Sequence, residues 1–264
     1  MTWVIGGATP FNYGVIIPDI KVTFSNGAPR DCLQKVYPVG NYILGGFAGS
    51  VKIGFMMLQD LRDFLKLDDG ESENKAWRPG WVAENWQHRA RKIFESAEEN
   101  EKKARCQIIL VGAHPTEDVG IPGWARIYIS ILDCPAFVPN TTKGGNNFLS
   151  IGSGSGVDEF KKALKDSKDF EAMKFEEAIE GGWSFMVSLA AREAIERNPD
   201  KGISEHLHIM RVSGQGFKMS NTDRINYNHD GSKSEIKMPK VATSYNDFIR
   251  MCKDGKMDGR AAIC

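Results

Sequence analysis

The chain opens MTWVIGG, and its second residue is the first that could do chemistry. A threonine hydroxyl is a poor nucleophile near neutral pH and needs a base to take its proton. A free α-amine, with an ordinary pKa of about 8, can accept that proton. Only a residue at the amino terminus carries both groups. The expectation is therefore that Met1 is trimmed and that Thr2 becomes a nucleophile with its own base. The short side chain of Thr2 suits ordinary methionine trimming. Three further residues are of the types such a site uses. An ammonium at Lys35 would lower the pKa of groups beside it. Asp19 would offset that charge and hold the lysine in place. The backbone N–H of Gly49, at the mouth of a helix, could stabilise the charge that develops on an attacked carbonyl oxygen.

Other chemistries fit the residues less well. Gly152-Ser153-Gly154-Ser155-Gly156 has the glycine density of a phosphate loop, but no Gly-Lys-Ser/Thr follows it. His206 and His208 would share one strand face, without the paired His or Cys ligands a metal needs. His88 and His114 have no partner in sequence. The five cysteines form no CxxC and are odd in number. They imply neither a disulfide framework nor a zinc site, and a reducing compartment is expected. No cofactor is expected.

The elements that must position these residues follow from periodicity and turn signals. TWVIGG and YGVII, joined by ATPFN, read as a hairpin. PDIKVTFSNG runs on to the Asn26-Gly27 turn, and QKVYPVG pairs with NYILGGFAG. Ser50 is placed to cap a helix whose Val51, Phe55, Leu58, Leu61 and Leu65 recur at helical spacing. KLDDGESENK reads as an exposed loop. A second helix is expected over about 79–104, with Trp81, Trp86, Ile93, Phe94 and Ala97 facing inward. CQIILVG and ARIYISILDC read as strands, and GGNNFLSIGSGSG as a strand entering a glycine-rich turn. Two more helices are expected near 156–166 and 171–197, then strands at LHIMRV and GFKMSN. The polar stretch from 229 to 264 is expected to be a partly mobile extension of a domain spanning 2–228, with an apolar cluster at Tyr245 and Phe248. Strands and helix pairs alternate in blocks, not as βαβ units. That fits an α+β chain of two antiparallel sheets with helix pairs outside.

Composition narrows the class. The chain has 264 residues, of which 41% are hydrophobic and 26% charged, as in a globular domain. Lys plus Arg and Asp plus Glu number 34 each, which argues against a dedicated nucleic-acid binder. No apolar run approaches the roughly 20 residues of a membrane span. No basic-then-apolar signal opens the chain, so a cytoplasmic location is expected.

The ordered set Thr2, Asp19-Ile20-Lys21-Val22-Thr23, Lys35-Val36 and Gly46-Phe47-Ala48-Gly49 resembles the proteasome β-subunit family of N-terminal nucleophile hydrolases. It looks closest to the bacterial proteasome-related subunit that partners an AAA+ unfoldase. GFAGSVKIGFMMLQDLRDFL resembles the family's first-helix entry, and Ser150-Ile151-Gly152-Ser153-Gly154 its later IGSG turn. The resemblance runs over 2–66 and 148–165. It implies a four-layer αββα sandwich and a threonine-type endopeptidase. It also implies a homo-oligomeric ring that encloses the sites and takes unfolded protein or peptide as substrate. Ser153 would sit beside the Thr2 amine, with Asp200 and Ser204 completing a proton relay. The family's pocket positions match Val22, Leu33, Tyr37, Phe47, Val51 and Phe55, which implies a hydrophobic residue on the acyl side of the cut bond. Thr23 and Gly49 would hold the peptide backbone as an added strand. Two alternatives stay open: a non-catalytic scaffold subunit, and an amidohydrolase of the same fold acting on a non-peptide amide.

Overall fold

A computed structural model describes residues 2–9, 11–25, 27–66, 78–118, 125–145, 147–166, 183–220, 224–227, 233–255, 259 and 262–264. Fourteen strands and six α-helices lie among them. The chain begins with β1 (Val4–Ala8), β2 (Gly14–Pro18), β3 (Lys21–Thr23), β4 (Pro29–Asp31), β5 (Val36–Gly40) and β6 (Ile43–Gly49), then α1 (Val51–Phe64), α2 (Pro79–Ser96) and α3 (Glu99–Lys103). Next come β7 (Cys106–Asp118), β8 (Ala125–Asp133), β9 (Asn140–Lys143), β10 (Asn147–Ile151), α4 (Asp158–Asp166) and α5 (Trp183–Arg197). The last elements are β11 (Ile209–Ser213), β12 (Gly216–Ser220), β13 (Arg224–Tyr227), β14 (Lys233–Ile236) and α6 (Tyr245–Asp254). The class is mixed α+β. One five-stranded antiparallel sheet runs β10-β1-β2-β11-β12, a second runs β5-β6-β7-β8-β9, and β3-β4 and β13-β14 form two-stranded ribbons.

The period of two along a strand divides the residues among three cores. In β1 and the residue before it, Trp3 and Ile5 enter one cluster, and Val4 and Ala8 enter another. Val15 and Ile17 of β2 join the first cluster, with Phe160 of α4 and Val187 and Ala191 of α5. Ile16 joins the second, with Leu44, Ile109, Val111 and Ile127 from the other sheet. The opposite faces of β6 and β7 supply Ile43, Phe47, Ile108 and Leu110 to a third cluster, with Leu58 and Leu61 of α1 and Trp86 of α2. Strands buried on both faces read as continuous apolar runs, which is how VIGGA, GVIIP and CQIILV appear in the sequence.

Three expectations need adjustment. The helix over 79–104 is divided, because Ala97 and Glu98 are extended and α3 starts afresh at Glu99. The break turns Glu101 inward, where its carboxylate accepts from Ser50 Oγ at 2.5 Å. Trp81 lies outside the core at 44% exposure, stacked on Phe64, whereas Trp86 is buried and donates to Asp60 at 2.8 Å. Residues of the 229–264 extension are built into the third core. Ala242, Phe248, Cys252, Ala262 and Cys264 are all buried there beside Phe47 and Val51. Of the expected 171–197 helix, 183–197 is described; 171–182, Asn26 of the expected turn and the loop 67–77 lie outside the described residues. No helix among the described residues is long and apolar enough to cross a membrane.

Candidate active site

Thr2 stands one residue before Trp3, across from the turn that follows β10. The β1–β10 register pairs Val4 with Ile151, so continuing it outward sets Thr2 against Ser153. The Thr2 N–H donates to Ser153 Oγ at 2.9 Å, and the Gly154 N–H donates to the Thr2 carbonyl at 2.9 Å. This approach requires glycine at position 152. Its φ is +86°, and a Cβ there would lie 2.4 Å from the Thr2 carbonyl oxygen. Gln107 of β7 holds the turn from the other sheet, accepting from the Gly152 N–H at 2.8 Å.

Asp19 follows β2, which lies beside β1, so the sheet brings it next to Thr2. Its Oδ1 accepts from the Trp3 N–H at 3.1 Å, and its Oδ2 accepts from the Lys21 N–H at 3.2 Å. Lys35 immediately precedes β5. Its Nζ donates to Thr2 Oγ1 at 2.9 Å and to Asp19 Oδ1 at 2.8 Å. Both ionic side chains are 0% exposed. A buried charge is tolerated only when paired and hydrogen-bonded, and here the ammonium and carboxylate satisfy each other. The result is a fixed positive charge touching a threonine hydroxyl.

Gly49 ends β6 with φ +102°, and a Cβ on it would lie 2.5 Å from the Arg105 carbonyl oxygen. Next to it Ser50 caps α1, its Oγ accepting from the Ile53 N–H at 3.1 Å. The Gly49 N–H donates to the carbonyl of Cys264 at 2.5 Å, which marks that N–H as a ready carbonyl-oxygen site. A cavity of about 370 Å³ is lined by Thr2, Gly49, Arg105, Gln107, Ser153 and Cys264 among others. Two of its lining residues are cysteines, yet burial pushes the Cys106 thiol well up and the Cys264 thiol up to about 12. Neutral thiols are weak nucleophiles, so burial argues against Cys106 and Cys264 in that role.

The structure brings Thr2, Asp19, Lys35 and Ser153 together, with Gly49 on the same cavity. It does not bring Asp200 there. Pro199-Asp200-Lys201 form a 3-10 turn that leaves the Asp200 side chain 70% exposed, near Lys201 Nζ at 3.3 Å. Ser204 is buried but donates to Asp31 Oδ2 at 2.6 Å, so it serves the β3-β4 ribbon, not a relay to Ser153. Of the pocket residues, Val22, Leu33, Tyr37, Phe47 and Val51 are buried in the third core. Phe55 is half-buried and packs on Tyr37, Phe47 and Tyr245. Tyr37 and Phe55 also line a separate cavity of about 560 Å³, away from Thr2. Thr23 uses both backbone groups on Ile263, its N–H donating at 2.7 Å and its carbonyl accepting at 2.9 Å.

Sequence reasoning passed over Gln107 and weighed His208 only as a metal ligand. His208 is buried, and its N–H donates to the Pro18 carbonyl at 3.0 Å. Burial, reinforced by the nearby Lys35 charge, pushes its pKa down to about 4, so the ring is neutral. The alternation in LHIMRV carried the one signal for it, an inward-facing polar residue on a buried strand. Among the described residues no group of three His, Cys, Asp or Glu could hold a metal ion. No family model matches this chain, and no curated protein matches it in sequence.

Proposed function

We propose that this chain is an N-terminal threonine hydrolase of the proteasome β-subunit kind, cleaving peptide bonds through an acyl-enzyme on Thr2. One observation carries the reading: the Lys35 ammonium sits between Thr2 Oγ1 and Asp19 Oδ1, at 2.9 and 2.8 Å, in a buried site. Met1 lies outside the described residues, and its removal belongs to the proposal. Once freed, the Thr2 α-amine takes the proton of Thr2 Oγ1 as that oxygen attacks the peptide carbonyl carbon. Ser153 Oγ, 2.9 Å from the nitrogen, fixes the amine's orientation. Lys35 stabilises the oxygen as it loses its proton, and Asp19 holds Lys35. The charge on the attacked carbonyl oxygen falls to the Gly49 N–H; one such donor is typically worth about 3 kcal/mol. The amine then returns the proton to the leaving nitrogen, the C–N bond breaks, and Thr2 is left as an ester. Water, deprotonated by the same amine, attacks the ester; the bond from the acyl carbon to Oγ1 breaks, the amine returns its proton to Oγ1, and the acid leaves with Thr2 restored.

The three cores support the finer αββα arrangement, with two sheets sharing the middle core and helices closing each outer one. A ring that encloses the sites, an AAA+ unfoldase and unfolded-protein substrates belong to the same reading and rest on the resemblance alone. The five cysteines, all buried and none in a disulfide, suit a reducing, cytoplasmic compartment.

Thr2→Val tests the reading, because it keeps the β-branched shape and removes the hydroxyl. Peptide hydrolysis is expected to fall by a factor of ~10³ or more, as when other hydrolases lose a nucleophile. Hydrolysis at the parent rate would remove Thr2 from the mechanism.

A further inference from the structure

We infer that residues 262–264 are a built-in pseudosubstrate strand that fills the acyl side of the cleft and keeps peptides out until it is displaced. The inference rests on the roles given above to Thr2 and Gly49. Five backbone hydrogen bonds define the strand. The Thr23 N–H donates to the Ile263 carbonyl at 2.7 Å, and the Ile263 N–H donates to the Thr23 carbonyl at 2.9 Å. The Cys264 N–H donates to the Gly49 carbonyl at 2.8 Å, and the Gly49 N–H donates to the Cys264 carbonyl at 2.5 Å. The Val51 N–H donates to the Ala262 carbonyl at 3.0 Å. Ile263 thus forms antiparallel bridges with Thr23 on one side and Ser50 on the other. This is how an extended peptide adds to exposed strand edges, with backbone bonds for affinity and alternate side chains for specificity.

The register matters as much as the pairing. The Cys264 carbonyl occupies the N–H assigned to the attacked oxygen, so Cys264 lies where the acyl residue of a bound peptide would lie. The cavity of about 370 Å³ is lined by Cys264 and Thr2 together, leaving space beside that carbonyl for a departing segment. Ala262 and Cys264 turn inward to the core that holds Phe47 and Val51, whereas Ile263 turns outward at 44% exposure. The cleft therefore takes small, uncharged side chains at the first and third acyl positions and tolerates a branched aliphatic one at the second. That is narrower than the broad hydrophobic preference implied by Leu33, Tyr37 and Phe55. Because Gly49 and both backbone groups of Thr23 are already engaged, a second peptide cannot bind until the strand leaves.

The test compares the full chain, Ile263→Pro, and a chain lacking residues 262–264. Proline removes the Ile263 N–H while changing a side chain that is mostly outside the core. Two readouts are used: the rate at which a peptide epoxyketone adds mass to the chain, and the fluorescence anisotropy of labelled Ala-Ala-Ile-Cys. Ile263→Pro is expected to react about tenfold faster than the parent, as for loss of one well-formed backbone hydrogen bond, and the shortened chain, which loses all five, at least that much faster. The labelled peptide is expected to bind both variants and not the full chain. Equal peptide binding by all three, or binding by none, would overturn the inference. If no chain reacts with the epoxyketone while the peptide still separates variants from parent, the catalytic reading falls and the strand stands. Should the shortened chain fail to fold, Ile263→Pro decides by the same two readouts.

Discussion

Lys35 and Asp19 are the most consequential pair to perturb. At 2.8 Å and full burial their gross attraction is about 6 kcal/mol at an effective dielectric of 20, with desolvation opposing it. Lys35→Met leaves the Asp19 carboxylate buried, with the Trp3 and Lys21 N–H groups still donating to it. The expected loss of stability is about 3–4 kcal/mol, the range for stranding one member of a buried pair. Asp19→Asn leaves the ammonium with Thr2 Oγ1 and should cost about 3 kcal/mol. The double variant strands no charge. It should lose about 4 kcal/mol, not the sum of the two, giving a coupling energy of about 2–3 kcal/mol. Urea unfolding of the four chains, compared at a common m-value, measures this. Single losses that add to within about 0.5 kcal/mol would refute the pairing on which the site depends.

His208 gives a pH prediction. Its pKa is about 4 in the folded chain and about 6.5 when unfolded, so between those values the unfolded state binds the extra proton. Stability should fall as pH drops from about 6.5 to about 4, by up to about 3 kcal/mol from this group, and His208→Gln should remove that share. Parallel urea-midpoint curves for parent and variant would contradict it. Ser50→Ala removes both the α1 cap and a donor to buried Glu101. It should cost about 2 kcal/mol in thermal or urea unfolding, and a change below about 0.5 kcal/mol would count against the cap.

How much was readable in the sequence depended on how local the cause was. The hairpin of β1 and β2, the Ser50 cap and the runs that become β6 and β7 are set by neighbours, and their signals are visible in VIGGA, GVIIP and FAGSV. The meeting of Thr2, Asp19, Lys35 and Ser153 depends on strand register, which spacing alone does not reveal. Those residues were singled out by their chemistry and by resemblance. Asp200 went astray because a 3-10 turn, set by Asn198-Pro199, points it to solvent. The break at Ala97-Glu98 was hidden because both residues are acceptable in a helix; a buried partner for Glu101 decides it. Ala-Ala-Ile-Cys carries no turn or periodic signal, so nothing local announces that 262–264 pairs with Thr23 and Gly49. That pairing is made entirely by distant backbone.

The most direct test is intact mass of the purified chain, before and after incubation with a peptide epoxyketone, with Ile263→Pro run alongside. Such reagents close a ring with both the hydroxyl and the free amine of an amino-terminal threonine. The prediction is a chain that begins at Thr2 and gains a single adduct, mapped to that residue and faster in the proline variant. A chain that keeps Met1 and gains no adduct in either form would contradict the catalytic role of Thr2.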